Sequence, residues 1–228
     1  MLPAHGDITQ AIQEIEMELM HEPVVKPQKT RSAVKNKVKP EDIQRDASRQ
    51  EARSKQIQKK SEAEAIYIVN AGLVLLHPYF NYLFDQIRLL DKRQFSNVDS
   101  VMKAITLLHY AASGSEVLSE EDCVLNKVLC GYPITDPVLQ IQLTPDDKEM
   151  VDSMLAAFKS HWSVISTSSH DEVRGNWLVR EGRLVETEKN WELYVERKPY
   201  DLLMASLPFT LSPVCFSWMK KLMIIHWL

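Results

Sequence analysis

The chain has 228 residues, 45% hydrophobic and 25% charged, with a formal net charge of −4. That composition excludes a wholly disordered polymer and suits one globular domain of about 160 residues with extensions. The near-neutral balance averages unlike segments, because residues 23–62 carry twelve Lys/Arg against five Asp/Glu and the remainder fifteen against twenty-six.

Residues 1–22 are expected to form an amphipathic helix, with Ile8, Ile12, Ile15 and Leu19 recurring at helical spacing as a narrow apolar stripe. A helix of this length is marginal alone, so the stripe calls for a partner: the domain, or copies of itself in a homo-oligomer. Residues 23–62 read as a basic polar linker, disordered or a solvated helix, because Ile43 and Ile57 are the only large apolar side chains between 41 and 60. The linker lacks interleaved aromatics and carries acids of its own, so nucleic acid is not expected as a partner.

A globular domain is expected over 63–228, built around the apolar run 66–84. Between Ile66 and Leu76 only Asn70 is polar, which predicts a helix buried on every side, with Gly72 permitting close packing. The run is too short to cross a bilayer, which takes about 20 residues, and Asp85 and Arg88 follow it, so no membrane span is expected. His77-Pro78 predicts a break and a restart at Pro78. The restarted helix places Phe80, Leu83, Phe84, Ile87 and Leu90 on one face, and Asn81, Asp85 and Arg88 toward water.

Further helices are expected at 98–112, with Val98, Val101, Met102, Ile105 and Leu108 inward and Gly114 as the stop, and at 123–130, opened by a capping box at 119–122 and ended by Gly131 and Pro133. Thr144, Pro145 and the acids after them start a helix to about Trp162, apolar at Met150, Val151, Met154, Leu155 and Phe158. Another begins after Ser169 and carries Val173, Trp177 and Leu178. At Gly182 the period changes from 3.6 to 2, predicting a hairpin of strands 184–188 and 191–197. A short helix at 200–205, breaks at Pro208 and Pro213, and a last strand at 222–227 complete an α+β fold, mostly helical with a small late β-sheet.

Little in the sequence carries chemistry. Three cysteines, Cys123, Cys130 and Cys215, form no CxxC pair, and no secretory leader is read, which argues for reduced thiols and a cytoplasmic protein. Cys123 and Cys130 lie seven apart with no histidine near, so buried structural thiols are favoured over a metal site. His161, and His170 beside Asp171 and Glu172, could supply a general base, but no HExxH or GxSxG accompanies them. Six glycines include no phosphate-cradling motif. No catalytic residue, metal, cofactor or small-molecule substrate is expected.

Several words in order carry a family resemblance: VNAGLVLLHPYF at 69–80 followed by Leu83-Phe84, VLNKVLCG at 124–131, His161-Trp162, REG at 180–182, VERKPYD at 195–201, and a closing apolar strand after Trp218-Met219. From about residue 65 to 227 the chain resembles the C-terminal domain of tape measure proteins of phage-tail-like contractile injection systems. The resemblance implies a non-enzymatic assembly protein that sits in the inner-tube lumen and sets tube and sheath length with the baseplate or spike. It implies inner-tube, spike or baseplate proteins as partners, a homo-oligomer, and incorporation into a phage-tail-like particle.

The resemblance also implies roles for single positions. Asn70 and Gly72 would serve close helix packing, Leu83 and Phe84 the core, and His77-Pro78 the break. Asn126, Lys127 and Gly131 would form a helix end, Gly182 a stop, and Trp162 and Tyr200 anchors. Arg197 and Asp201 belong to the VERKPYD word, and Trp218 precedes the closing strand. As one helix, the roughly 60 residues before the domain would reach about 90 Å. The alternative readings are an interaction adaptor or baseplate-docking module without a ruler role, and a hydrolase using His161 or His170, which would need a deep pocket at either histidine.

Overall fold

The chain divides into two units, Met1–Gln50 and Glu51–Leu228. The computed structural model describes residues 65–227, all within the second. The expected helix with Ile8, Ile12, Ile15 and Leu19 and the basic linker lie outside the described residues.

The apolar run begins with a strand where a helix was expected: β1 (Ile66–Ile68) buries Ile68 and exposes Tyr67. An isolated three-residue alternation inside an apolar stretch is invisible to periodicity, and only pairing with a distant strand makes it extended. After Asn70 the chain winds into a 3-10 helix (Ala71–Tyr79) that runs directly into α1 (Phe80–Gln86). The predicted break at His77-Pro78 is therefore absent. Proline in an α-helix collides with the carbonyl four residues back, here Val74. The 3-10 winding sends backbone bonds to the third residue back instead, and His77 Nδ1–H donates to the Val74 carbonyl at 2.9 Å. Residues 71–76 are buried on all sides, packed against the helices and turns that follow and against β5.

The face of α1 has the expected polarity: Phe80, Leu83 and Phe84 are buried while Asn81, Asp85 and Arg88 are exposed. Leu90, however, lies beyond the helix in an unforeseen hairpin, β2 (Leu90–Asp91) and β3 (Gln94–Phe95), closed by Lys92-Arg93. Next, α2 (Val98–Ser113) starts on Asn97, whose side chain accepts from the Ser100 amide, and stops at Gly114 with φ 72°. Val98, predicted inward, is 62% exposed at its first turn. The Ser119 hydroxyl accepts from the Asp122 amide ahead of a short 3-10 turn and α3 (Val124–Leu129), which ends at Gly131 with φ 66°.

The full capping box at Thr144 and Asp147 opens α4 (Pro145–His161). A second box at Ser169 and Glu172 opens α5 (His170–Val173), which widens into a π-type turn over Arg174–Leu178. The predicted hairpin forms as β4 (Gly182–Glu186) and β5 (Asn190–Val195), with Trp191, Leu193 and Val195 buried. A 3-10 helix (Pro199–Ser206) and β6 (Leu222–His226) follow. Strand order is β1-β4-β5-β6; β1 and β4 are antiparallel, as are β4 and β5, whereas β6 runs parallel to β5. One face of this twisted sheet closes over the 3-10 rod. The α+β class stands, with the sheet drawing its first edge strand from the start of the domain.

Candidate functional site

Where the wide turn ends and β4 begins, Arg180 is turned inward and is 1% exposed. Its Nη1 donates to both carboxylate oxygens of Asp201 at 3.0 and 3.1 Å and to the Glu196 carbonyl at 3.1 Å, and Nη2 donates to the Asn176 carbonyl at 2.8 Å. Asp201 also accepts from the Lys198 amide at 2.8 Å and from Trp227 Nε1 at 3.0 Å. The rings of Trp177, Tyr200 and Trp227 surround the guanidinium, 5.2 to 5.9 Å from their centroids. Such a buried pair holds together only because nearly every polar atom is matched; Arg180 Nε alone finds no partner among the described residues. This knot ties the REG word, the VERKPYD word and the end of the last strand. Arg180 opens the REG word and Trp227 ends the last expected strand, but neither was given a role of its own, because nothing in the local pattern shows that they meet.

Other family words meet in pairs. Asn70 Nδ2 donates to Asn126 Oδ1 at 2.9 Å and to the Asp122 carbonyl at 3.1 Å, and Asn126 Nδ2 donates to the Ile105 carbonyl at 3.2 Å. A Cβ on Gly72 would lie 1.7 Å from the Trp177 carbonyl oxygen, and one on Gly131 2.2 Å from that of Trp218. On Gly182 a Cβ would come within 2.6 Å of Ala71 Cβ. At these three positions two backbones touch. Trp218 donates Nε1 to the Leu129 carbonyl at 2.9 Å and packs its ring on Phe84, beside buried Leu83. Buried Lys127 bonds Glu120 at 2.5 Å and the Asp136 carbonyl at 2.8 Å, fastening the loop after α3. Trp162 donates to Ser206 Oγ at 2.9 Å and reaches Tyr200 through Trp177. Arg197 stands apart, exposed on the surface.

The outward face of the sheet carries a second constellation. Tyr67, Arg183, Tyr194 and His226 occupy one row across all four strands, each opposite the next. Arg183 lies 4.2 Å over the Tyr194 ring, which stacks on His226 at 4.4 Å with 11° between planes. Glu192 accepts from the Tyr194 hydroxyl at 2.6 Å and sits 3.6 Å from His226 Nε2. Tyr67, Arg183 and Tyr194 line an open depression of about 270 Å³ above Gly182, flanked by Glu181 and Glu196. The row is aromatic, with the single guanidinium of Arg183 set among the carboxylates of Glu181, Glu192 and Glu196.

The histidines considered for catalysis are otherwise engaged. His161 Nδ1 is hydrogen-bonded to the Tyr79 hydroxyl at 2.7 Å, and His170 Nδ1 lies 3.6 Å from Asp152, which also meets Arg174. Neither lines the depression. Cys123 and Cys130 are buried, and burial pushes the first thiol up to about 12 and the second well above its ordinary value, disfavouring the thiolate that a metal or an electrophile requires. Among the described residues no three His, Cys, Asp or Glu side chains converge, and no helix is long and apolar enough to cross a membrane.

The model of the contractile injection system tape measure protein family matches residues 5–227. The chain belongs to that family. The match begins well before residue 65, so the family pattern extends beyond the stretch on which the resemblance was read. The family is a structural one, which places the protein among the components of contractile, phage-tail-like particles. No curated protein and no solved structure matches the chain.

Proposed function

We propose that the domain of residues 63–228 docks a tape measure protein onto the baseplate or spike end of an inner tube, while residues 1–62 extend along the lumen and set tube and sheath length. The family match over 5–227 is the observation that carries this reading. Two features of the domain support it. Its family words are spent on internal ties, the Arg180–Asp201 pair and the touching backbones at Gly72, Gly131 and Gly182, which make a stiff body suited to bearing load rather than a mobile catalytic cleft. Residue 65 also leads straight into the edge strand β1, so the N-terminal region joins the domain at a hydrogen-bonded sheet.

A tube lumen has rotational symmetry, and a filler seated on its end follows that symmetry or a divisor of it, so the working form is a homo-oligomer. The stripe of Ile8, Ile12, Ile15 and Leu19 supplies its self-association. The domain acts without substrate, metal or cofactor, in the cytoplasm, before the finished particle.

Lengthening the segment tests the ruler. Insertion of about fourteen helix-forming residues between 23 and 62 should lengthen the tubes by roughly 20 Å, at about 1.5 Å per residue, in electron micrographs of purified particles. Tubes of unchanged length, with particles lost only on deletion of the chain, would instead assign it the role of a docking module without ruler activity.

A further inference from the structure

The four-stranded sheet carries apolar residues on both faces. Its inner face supplies Leu184 and Leu193 to the hydrophobic core, whereas Val185 and Ile224, turned the other way, stand outside that core. Val185 is nonetheless only 4% exposed, while Tyr67 on the same outward face is 75% exposed. Ile224 is half-buried, and Glu192 lies between the two, opposite both. A sheet that leaves one face to water alternates apolar inward and polar outward, so apolar residues on its second face call for a cover.

The chain enters this sheet at its β1 edge, which puts the residues just before β1 within reach of that face. Residues 51–64 belong to the same compact unit as the domain, since the chain divides between Gln50 and Glu51. Their one large apolar side chain is Ile57. The stretch from Ile57 to Glu64 covers about 10 Å even at 1.5 Å per residue, and neighbouring strands lie about 4.8 Å apart, so Ile57 reaches Val185 on the strand next to β1. Charge agrees with reach. Arg53, Lys55, Lys59 and Lys60 stand against Glu51 in residues 51–60. On the outward face the Arg183 guanidinium lies over the Tyr194 ring and Glu196 meets Lys198, which leaves Glu181 and Glu192 for further cations.

We propose that residues 51–64 fold back over the outward face of the sheet as a strap, with Ile57 against Val185 and Ile224 and the neighbouring lysines beside Glu192. The covalent link to β1 makes this contact intramolecular, so one isoleucine and a few partly solvated charges suffice where a separate chain would need a full interface. The segment free to extend along the lumen is then residues 1–50. The contact is a property of the purified chain and stands whether or not those residues act as a ruler.

Trypsin tests this on the full chain, because it cuts after lysine both inside the strap and before it. Mass spectrometry should find cleavage after Lys55, Lys59 and Lys60 roughly tenfold slower than after Lys35 and Lys37. Ile57→Ser removes the apolar anchor and should bring the three strap sites to the rate of the other two. Glu192→Lys, which sets a cation under the strap, should do the same from the sheet side with the melting transition retained. Equal rates at all five sites in the unmodified chain would overturn the strap. Loss of protection in Ile57→Ser but not in Glu192→Lys would place the segment elsewhere on the domain and overturn the choice of face. Protection that rises with protein concentration would assign the face to a second copy of the chain, against the proposal.

Discussion

His77 shows how much one side chain decides. Its ring secures the Val74 carbonyl beside Pro78, and burial holds the imidazole at a pKa of about 4, below its ordinary 6.5. Between those values the unfolded chain binds a proton that the folded chain does not. The stabilising contribution is therefore complete above pH 6.5 and is lost as pH falls toward 4, by up to about 3 kcal/mol. His77→Asn keeps a donor but removes the titration, so urea unfolding at pH 7, 5.5 and 4 should give a flatter stability profile for the variant; parallel profiles would refute the assignment. At the Arg180–Asp201 pair, Asp201→Leu should cost about 3–5 kcal/mol by leaving a buried charge alone. Arg180→Met added to it should recover most of that loss in thermal unfolding, because the apolar pair needs no partner.

At the scale of elements, helix boundaries obey local rules and can be tested as such. Gly114 and Gly131 both hold positive φ after a helix, but the nearest atoms to an added Cβ are the Arg174 side chain at 3.5 Å in the first case and the Trp218 carbonyl at 2.2 Å in the second. Gly114→Ala should then cost only the conformational term of about 1–2 kcal/mol. Gly131→Ala should cost at least twice that, about 3 kcal/mol or more, since α3 and the 216–219 turn must separate. Chemical denaturation of the two variants side by side checks the ordering. The capping boxes at Thr144 and Ser169, the stops at Gly114 and Gly131, and the alternation in β5 were legible because each is written within a few consecutive residues. β1 and the β2–β3 hairpin were not: the first is three residues long inside an apolar run, and the second lacks the Asn-Gly signal by which such turns are read.

For the whole molecule, the last strand closes what the first strand begins. β6 joins β5 in parallel, buries Met223, and brings Trp227 to Asp201. Removal of residues 222–228 should therefore abolish the cooperative melting transition in circular dichroism rather than shorten a stable domain. A chain that still melts cooperatively near the original temperature would show β6 to be an appendage. Self-association is expected at the other end: light scattering should find the full chain oligomeric and a variant lacking residues 1–22 monomeric, and a monomer in both cases would leave assembly to the partners alone.

The sequence by itself determined where most helices begin and end, the period change at Gly182, the α+β class and the family, since caps, stops and alternation are interactions between near neighbours and the family words are strings. Tertiary structure decided that residues 66–68 are a strand, that helix continues through Pro78, and that Arg180, Asp201 and Trp227 meet. An edge strand exists only when another strand supplies its hydrogen bonds, and here that strand arrives at Gly182. A buried ion pair likewise exists only once the surrounding chain has removed water from both partners, which no local pattern records.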